Sequence, residues 1–440
     1  MSDLIRYFNA YVLFPLLEKK SKRQIAPKFK ELKQFNTLAL GEQNRIQREA
    51  LYKVLTFSKA KIPYYMDLFR QTSFDENKVL KDIRFVQDLP LLTKEIIRDN
   101  SDRIKLPEAI HPRKTGGSTG QSVFFYYDDV GLDWTAAINL MAYEMAGNFP
   151  YRKDCHISSE LGFGKPPLKH RFLDWLKLFS QNRKRLMLRS FSDEDLKNTF
   201  KNLKRIHPYL LQGHPSSGYA LANYIKKHNL KKKKYCSVFE PSGEMLTQKM
   251  VEAMETYLGC KVVNRYGNAE FGVMAHTRPQ DPYTKLQIFN RTFYIEEVEQ
   301  DNLIVTNFTN FSMPLIRYNT GDIGTVKNEA EGSFIYNIQG RVHDSVMIDH
   351  ESYATHFIMD YLDHKIGRIR EFQIITRGKN SLPTLSVVPE DPTDQERIRT
   401  ALEARWPKGL AIQFVRYEDL KKVGWQNKFR HVIVLGDQHE

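Results

Sequence analysis

Hydrophobic and polar positions change rhythm along the chain, and the changes divide it. Residues 42–70 carry few helix breakers before Pro63 and read as one helix. From about residue 193 helical and extended runs alternate. "DEDLKNTFKNLKRIH" is helical, "PYLLQG" is a short apolar run, "GYALANYIKKHN" is helical and "YCSVFEPSG" is a strand ending in a loop. "TQKMVEAMETYLG" places Met250, Met254 and Leu258 on one helical face, with Gly259 as a stop. "CKVVNRYGNAEFG" reads as a strand entering a glycine-rich turn. Strands alternating with helices predict an α/β unit with a largely parallel sheet.

After residue 285 the texture becomes that of close-set strands: "TFYIEEV", "NLIVTNF", "LIRYNTGDIGTV" and "SFIYNI". This predicts a β-rich subdomain. Past Arg341 the pattern is mixed. Helices are expected near 354–364 and 393–405, with strands near 370–376, 384–388, 411–416 and 431–435. That stretch of about 100 residues is large enough to fold as a unit. The division expected is a large domain over 1–340 and a small one over 341–440.

Composition narrows the function classes. Lys and Arg exceed Asp and Glu by 66 to 52, a formal net charge of +14. A basic balance favours anionic partners: nucleotide phosphates, nucleic acid or an acidic membrane surface. It equally describes a generally basic solvated surface. Cys155, Cys236 and Cys260 are far apart, odd in number and without a CxxC pair, which argues against a disulfide framework or a zinc site and for a reducing cytoplasm. No apolar run is long enough to span a bilayer. The N-terminal "MSDLIRYFNAYVLFPLLEKKSKRQ" leaves two readings open. It is either a helix packed on its own domain, or an amphipathic segment in peripheral contact with a membrane, with Lys19, Lys20, Lys22 and Arg23 toward anionic headgroups.

The candidate chemistry begins at "RKTGGSTGQS" (113–122). A Thr/Ser/Gly loop can turn successive N–H groups inward to bind phosphate oxygens, and its hydroxyls add donors. It is not a Walker loop, because Gln121 follows Gly120 where that motif needs lysine. "RYGNAEFG" sets Glu270 in a turn after an expected strand, and "RYNTGDIG" does the same with Asp322. A carboxylate at a strand end can hold Mg²⁺ or accept from ribose hydroxyls. "GRVHD" offers Arg341, whose fork suits phosphate or ribose. His156 and His214 lie near expected strand ends where an acyl group could bind, although a satisfied core or loop histidine is the commoner role.

This ordered set resembles the adenylate-forming superfamily of acyl-CoA synthetases, aryl-CoA ligases and adenylation domains. The loop is similar to that family's phosphate loop, "YGNAE" to its YGxTE motif and "YNTGD" to its YxTGD motif. "GRVHD" is similar to its hinge, and "NKFRHVI" to the segment carrying its catalytic lysine. Within it, the phenylacetate–CoA ligase-like branch is nearest, and the group found with capsular polysaccharide genes nearest of all. The resemblance implies an α/β fold: a large domain with mainly parallel sheets and a β-rich subdomain, plus a small mobile α+β lid. It implies ATP and Mg²⁺ as cofactors and leaves CoA open.

Residue by residue, the resemblance implies that Thr115, Gly116, Gly117, Ser118, Thr119 and Gly120 cradle the phosphates of ATP. Glu270 would bind Mg²⁺. Ser242, Gly243 and Glu244 would line the adenine side, with Tyr266 stacking on the base beside Gly267. Asp322 would take the ribose hydroxyls, Arg341 would support ribose and phosphate, and Asp344 would be the hinge. Lys428 would bridge the carboxylate and the α-phosphate. Ser122, Ala269 and His343 depart from the family pattern, and Asp349, His350 and Glu351 stand where CoA-using relatives carry a glycine.

Three functions follow. The first is an ATP-dependent, AMP-forming acid ligase that passes the acyl group of a small carboxylate to an amine, with a role in surface polysaccharide assembly. The second is an acyl- or aryl-CoA ligase. The third is a nucleic-acid-binding protein on a degenerate enzyme scaffold. For the third the net charge is the support, and no nucleic-acid fold is visible in the sequence.

Overall fold

The computed structural model describes residues 2–114, 123–158, 168–244, 246–298, 302–339, 345–377, 381–416, 419–423, 428–429 and 431–435. The chain opens with a nearly unbroken helical run: α1 (Ser2–Phe8), a π-helical turn (Asn9–Leu13) and α2 (Phe14–Lys20). α3 (Ile25–Thr37), α4 (Leu40–Lys61), α5 (Pro63–Thr72) and α6 (Lys94–Asp99) follow. The single helix expected over 42–70 is two. Ile62 is extended and Pro63 starts α5, because proline lacks the N–H that would continue the first helix but suits the first turn of the next.

β1 (His111–Lys114) and β2 (Phe124–Tyr127) pair antiparallel and bracket the glycine-rich loop. That loop, residues 115–122, lies outside the described residues. α7 (Asp129–Met145) is capped by the Asp128 carboxylate, which accepts from Gly131 N at 2.6 Å. Asp133 of α7 holds Arg23 in an ion pair and accepts from Gln24 N at 2.8 Å. Arg23 therefore faces its own domain rather than outward, which corrects its expected orientation toward headgroups.

The alternating region comes next: β3 (Asp154–Ser158), α8 (Leu168–Ser180), β4 (Arg183–Met187), α9 (Asp193–Ile206) and β5 (Leu210–Gly213). α10 (Pro215–Lys227), β6 (Val238–Pro241), α11 (Gln248–Leu258) and β7 (Lys261–Val262) complete it. The strands form a five-stranded sheet in the order β4-β3-β5-β6-β7, with every pair parallel. Helix ends follow local rules. Ser192 caps α9 with three acidic residues in its first turn, and Thr247 caps α11. Gly259 stops α11 at φ +63°, as the sequence predicts.

β8 (Arg265–Asn268), β9 (Gly272–Thr277), β10 (Lys285–Ile288), β11 (Phe293–Val298), β12 (Asn302–Asn307), β13 (Tyr318–Glu329) and β14 (Gly332–Gln339) build a seven-stranded sheet in the order β11-β12-β13-β14-β10-β9-β8. Its pairs are antiparallel. The β-rich region thus starts at Arg265, earlier than the change in texture after 285, because the "RYGNAEFG" turn folds β9 back onto β8.

Residues 345–435 have their own core, including Ile348, Phe372, Leu385, Leu402 and Trp406. β15 (Ser345–Ile348) and β16 (Glu351–Ala354) form a hairpin. α12 (Thr355–Asp360), a π-helical turn (Tyr361–Ile366), β17 (Ile369–Thr376), β18 (Thr384–Pro389), α13 (Gln395–Arg405), β19 (Ala411–Phe414), β20 (Lys422–Val423), β21 (Lys428–Phe429) and β22 (Val432–Val434) follow. A four-stranded sheet runs β19-β18-β17-β22. This unit packs on the parallel-sheet region: Phe191 N donates to Ser352 O at 3.0 Å, and the Phe191 and Phe357 rings meet edge-on at 5.8 Å.

Candidate active site

The two larger sheets meet along β8, and the residues singled out by motif collect there. Tyr266 on β8 is buried, and its hydroxyl donates to Asp322 Oδ2 at 2.8 Å. Thr320 Oγ1 lies 3.4 Å from the same hydroxyl. Burial first, then the Asp322 charge, pushes the Tyr266 phenol well up, so it stays a proton donor. Gly267 follows at a bulge, where a Cβ would run into the Gly272 carbonyl of β9. Only glycine permits that approach.

Glu270 sits in the β8–β9 turn, 5% exposed. Its Oε1 accepts from Tyr318 Oη at 3.0 Å and stands 3.5 Å from Lys94 Nζ. Tyr127 donates to the Glu270 carbonyl, so β2 also fixes this turn. Leu92 and Tyr318 form a parallel bridge, which brings the start of α6 and its Lys94 to the strand carrying Asp322. Lys94, Tyr127, Glu270, Tyr318, Tyr266 and Asp322 thus come from four chain stretches, α6, β2, β8 with its turn, and β13, into one cluster.

Ser242, Gly243 and Glu244 leave the C-terminal end of β6. Gly243 takes φ +80°, and a Cβ there would meet the His214 ring at 2.9 Å. Glu244 accepts from Ser216 N at 3.1 Å and Ser216 Oγ at 3.0 Å, so it caps α10. His214 Nδ1 lies 3.8 Å from the same carboxylate. His214 is a loop residue at this cap.

Beneath the cluster runs a row of polar residues on one face of the parallel sheet. His156, Gln212 and Glu240 are cross-strand neighbours on β3, β5 and β6. Glu240 is fully buried. Gln212 donates to Glu240 Oε2, His276 Nε2 lies 3.2 Å from Oε1, and Arg265 Nη1 lies 3.7 Å from Oε1. Burial would raise the Glu240 pKa, but the Arg265 charge and the bonds from His276 and Gln212 outweigh it and hold the carboxyl at about 2. On the neighbouring strand Arg183 bonds Asp154 at 2.7 Å through Nε, Gln212 Oε1 at 2.8 Å, and the Tyr143 hydroxyl. Burial pushes Asp154 up to about 6 despite Arg183, and burial with the nearby arginines pushes His156 down to about 4.

Arg265 joins the two layers. It faces Glu240 and immediately precedes Tyr266, so the buried charges set the position of the strand that carries the phenol on Asp322. Motif reading found Tyr266, Glu270 and Asp322 but missed Lys94, Glu240, Arg183 and His276. A signal for one of these, Glu240, was present, because "PYLLQG" and "SVFEPS" set Gln212 and Glu240 at matching positions of two apolar strands.

Arg341 and Asp344 lie outside the described residues, as do Thr115 to Gly120 and His343. Lys428 lies on β21, paired across from Val423. Asp349 and His350 form the two-residue turn between β15 and β16, at φ +48° and +65°. A turn expected to need glycine is built here from Asp and His, and Asp is among the residues that tolerate this conformation best. The missing glycine therefore does not remove the backbone shape. Asp349 packs beside Gly409, where a Cβ would meet its Cγ at 2.6 Å, and Glu351 accepts from Tyr353 at 2.7 Å.

No family model matches the sequence. Protein CapK of Staphylococcus aureus is 25% identical over 292 residues, 64% of this chain and 63% of its own length. Indoleacetate–lysine synthetase of Pseudomonas savastanoi is 24% identical over 208 residues, 46% of this chain and 52% of its own length. The matches thus span less than two thirds of either relative. Two crystal structures of a 2-hydroxyisobutyryl-CoA ligase are similar across the whole fold. The complex with 2-HIB-AMP and CoA, in the thioesterification state, has a TM-score of 0.56 at 17% identity, covering 91% of both chains. The complex in the postadenylation state gives 0.55 at 17% identity, covering 90% of both. The fold is that of the adenylate-forming ligases.

Proposed function

We propose that this chain, an adenylate-forming ligase by fold, is an ATP-dependent, AMP-forming carboxylate ligase whose acyl acceptor is an amine. The acid attacks the α-phosphate of ATP, giving an acyl adenylate and pyrophosphate. The amine then displaces AMP, giving an amide and a proton. The observation that carries this reading is the convergence of Tyr266, Glu270, Tyr318 and Asp322 beside Tyr127 of β2, tied by Tyr266 to Asp322 and by Tyr318 to Glu270.

Two anions must meet in this reaction, and charge grows on the α-phosphate and on the leaving pyrophosphate. Residues 115–120 are assigned to the β- and γ-phosphates. Glu270 fits a Mg²⁺ site: it offers a hard carboxylate, fixed through Oε1 by Tyr318 and Lys94, and would be the residue that holds the cation. The metal would supply charge neutralisation. Lys94 holds the carboxylate in place and adds positive charge on the same side. Asp322, oriented by the Tyr266 phenol, accepts from the ribose hydroxyls. Ser242 to Glu244, with Tyr266 and Gly267, form the adenine side. Arg341 supports ribose and phosphate, Lys428 approaches the α-phosphate from the small domain, and Asp344 is the pivot for its rotation.

The amine rests on one relative whose name couples an acid to lysine. Its extension to surface polysaccharide assembly rests on the resemblance in sequence. A CoA acceptor is the second reading, favoured by a fold shared with a ligase crystallised with CoA. Incubation of the full chain with Mg²⁺, ATP, a library of acids and either CoA or a panel of amines, followed by mass spectrometry, separates the two. Amide plus AMP is the expected product. Acyl-CoA formation saturating at low CoA would promote the second reading.

A further inference from the structure

A broad face on the side of the molecule made by its N-terminal helices is apolar and open. Along α1, the π-helical turn and α2, the side chains of Leu4, Phe8, Tyr11 and Leu16 are exposed, Leu4 by 78%. The underside of the same run is fixed to the domain: Asn9 and Ala10 are buried. The Asn9 amide donates to the Phe179 carbonyl of α8 at 2.6 Å, which locks the two elements side by side.

α8 extends the patch. Phe172, Trp175 and Phe179 form a ladder of stacked rings at 5.9 and 5.4 Å, and Trp175 is 55% exposed. A soluble helix normally turns such a stripe to the core. Single exposed apolar residues are ordinary, whereas a contiguous set on two joined helices marks an interaction surface.

Beside the patch lies a cationic cleft of about 380 Å³. Arg6 of α1 lines it together with Arg152, Lys153, Asn182, His207 and Tyr209, and no carboxylate is among its described lining residues. The Arg152 guanidinium sits 4.4 Å from the Tyr209 ring centroid, and its buried Nε has no hydrogen-bond partner among the described residues. Exposed Lys19 and Lys20 end α2, exposed Lys22 follows it, and Lys177 of α8 is exposed.

We infer that this face docks on the surface of an anionic lipid bilayer. The aromatic and aliphatic side chains of the α1–α2 run and α8 would enter the headgroup–acyl boundary, where Trp and Tyr are favoured. The cleft beside Arg6 would take a lipid phosphate. Charge complementarity selects this occupant: the apolar patch is rimmed by lysines and arginines, on a chain of net charge +14. The attachment is peripheral, since no described helix is long and apolar enough to cross a membrane. It is independent of the reaction assigned above.

The test is co-sedimentation of the full chain with large unilamellar vesicles, of phosphatidylcholine alone or with roughly a third phosphatidylglycerol. Binding to the acidic vesicles is expected, weakening as salt rises. Phe8→Ser with Tyr11→Ser, and separately Phe172→Ser with Trp175→Ser, should each lower vesicle affinity about tenfold or more. Arg6→Gln with Arg152→Gln should lose about tenfold or more on acidic vesicles and little on neutral ones. Thermal melts of each variant verify folding, and the three pairs are independent arms. Three results would overturn the inference: no vesicle binding, equal binding to neutral and acidic vesicles, or binding untouched by all three pairs. Sedimentation velocity without lipid supplies a fourth. Self-association abolished by the apolar pairs, with no vesicle binding, would assign the face to a second copy of the chain instead.

Discussion

The same strands of the parallel sheet present two unlike faces. On one, Cys155, Ile157, Leu211 and Phe239 pack with Leu203, Leu221 and Met254 from the helices that cover them, in an apolar core. On the other, one residue along each strand, Gln212 and Glu240 join Arg183, Arg265 and His276 in a buried web of charge. Period two assigns stability to one face and support of the site to the other. The second face is costly to bury unless every charge finds a partner. That explains why a polar residue inside an apolar strand points to the chemistry opposite it.

The sharpest break of this comparison is on the apolar face. Phe239→Ala should destabilise the fold by about 3–5 kcal/mol, read as a shift in denaturant midpoint. Ligand affinity per folded molecule should be unchanged. A slightly smaller loss is expected across the sheet. Glu240→Leu strands Arg265 and His276 and should cost about 3 kcal/mol at neutral pH. This loss should depend on acid. The Glu240 carboxyl is held at about 2 against an unfolded value of 4.5. Its contribution is therefore complete above 4.5 and fades as pH falls through that window toward 2. The gap between wild type and variant should narrow in the same range, and a gap constant from pH 6 to 2.5 would contradict the role.

The third change leaves the fold nearly intact. Asp322→Ala removes the partner of the Tyr266 phenol at a half-exposed position. Nucleotide affinity by calorimetry should fall about ten- to hundredfold, the range for hydrogen bonds to a charged group. Melting should move little. A large loss of stability with unchanged affinity would place Asp322 with the structural face instead.

Much of this arrangement is legible in the sequence, for reasons that differ by residue. Glu270 announces itself because a glycine-bounded turn at a strand end is a short, local signal, whereas Asp322, expected in such a turn, lies within β13 and is marked only by its glycine-flanked motif. The helices α9 and α11 are marked by caps and stops that also act locally. Lys94 was not legible. It reaches Glu270 through a bridge from Leu92 to Tyr318, and no local pattern encodes a contact across that separation. β9 was missed because its pairing depends on the fold-back at Gly272. The turn at Asp349 and His350 takes positive φ without the glycine of CoA-using relatives, because Asp and His can also adopt that conformation. The N-terminal run shows both of its possible natures at once, with Asn9 and Ala10 packed inward while Leu4 and Tyr11 face out.

The most direct test of the central assignment is acid-dependent exchange of labelled pyrophosphate into ATP, screened over uronic, amino and aryl acids with Mg²⁺. Exchange with at least one acid class is expected. Lys428→Ala should slow it roughly 10²–10³-fold with ATP affinity nearly unchanged, since the interaction forms mainly in the transition state. Silence across the library, with no ATP binding by calorimetry, would contradict the assignment. An unchanged rate in the Lys428 variant would remove that lysine from it.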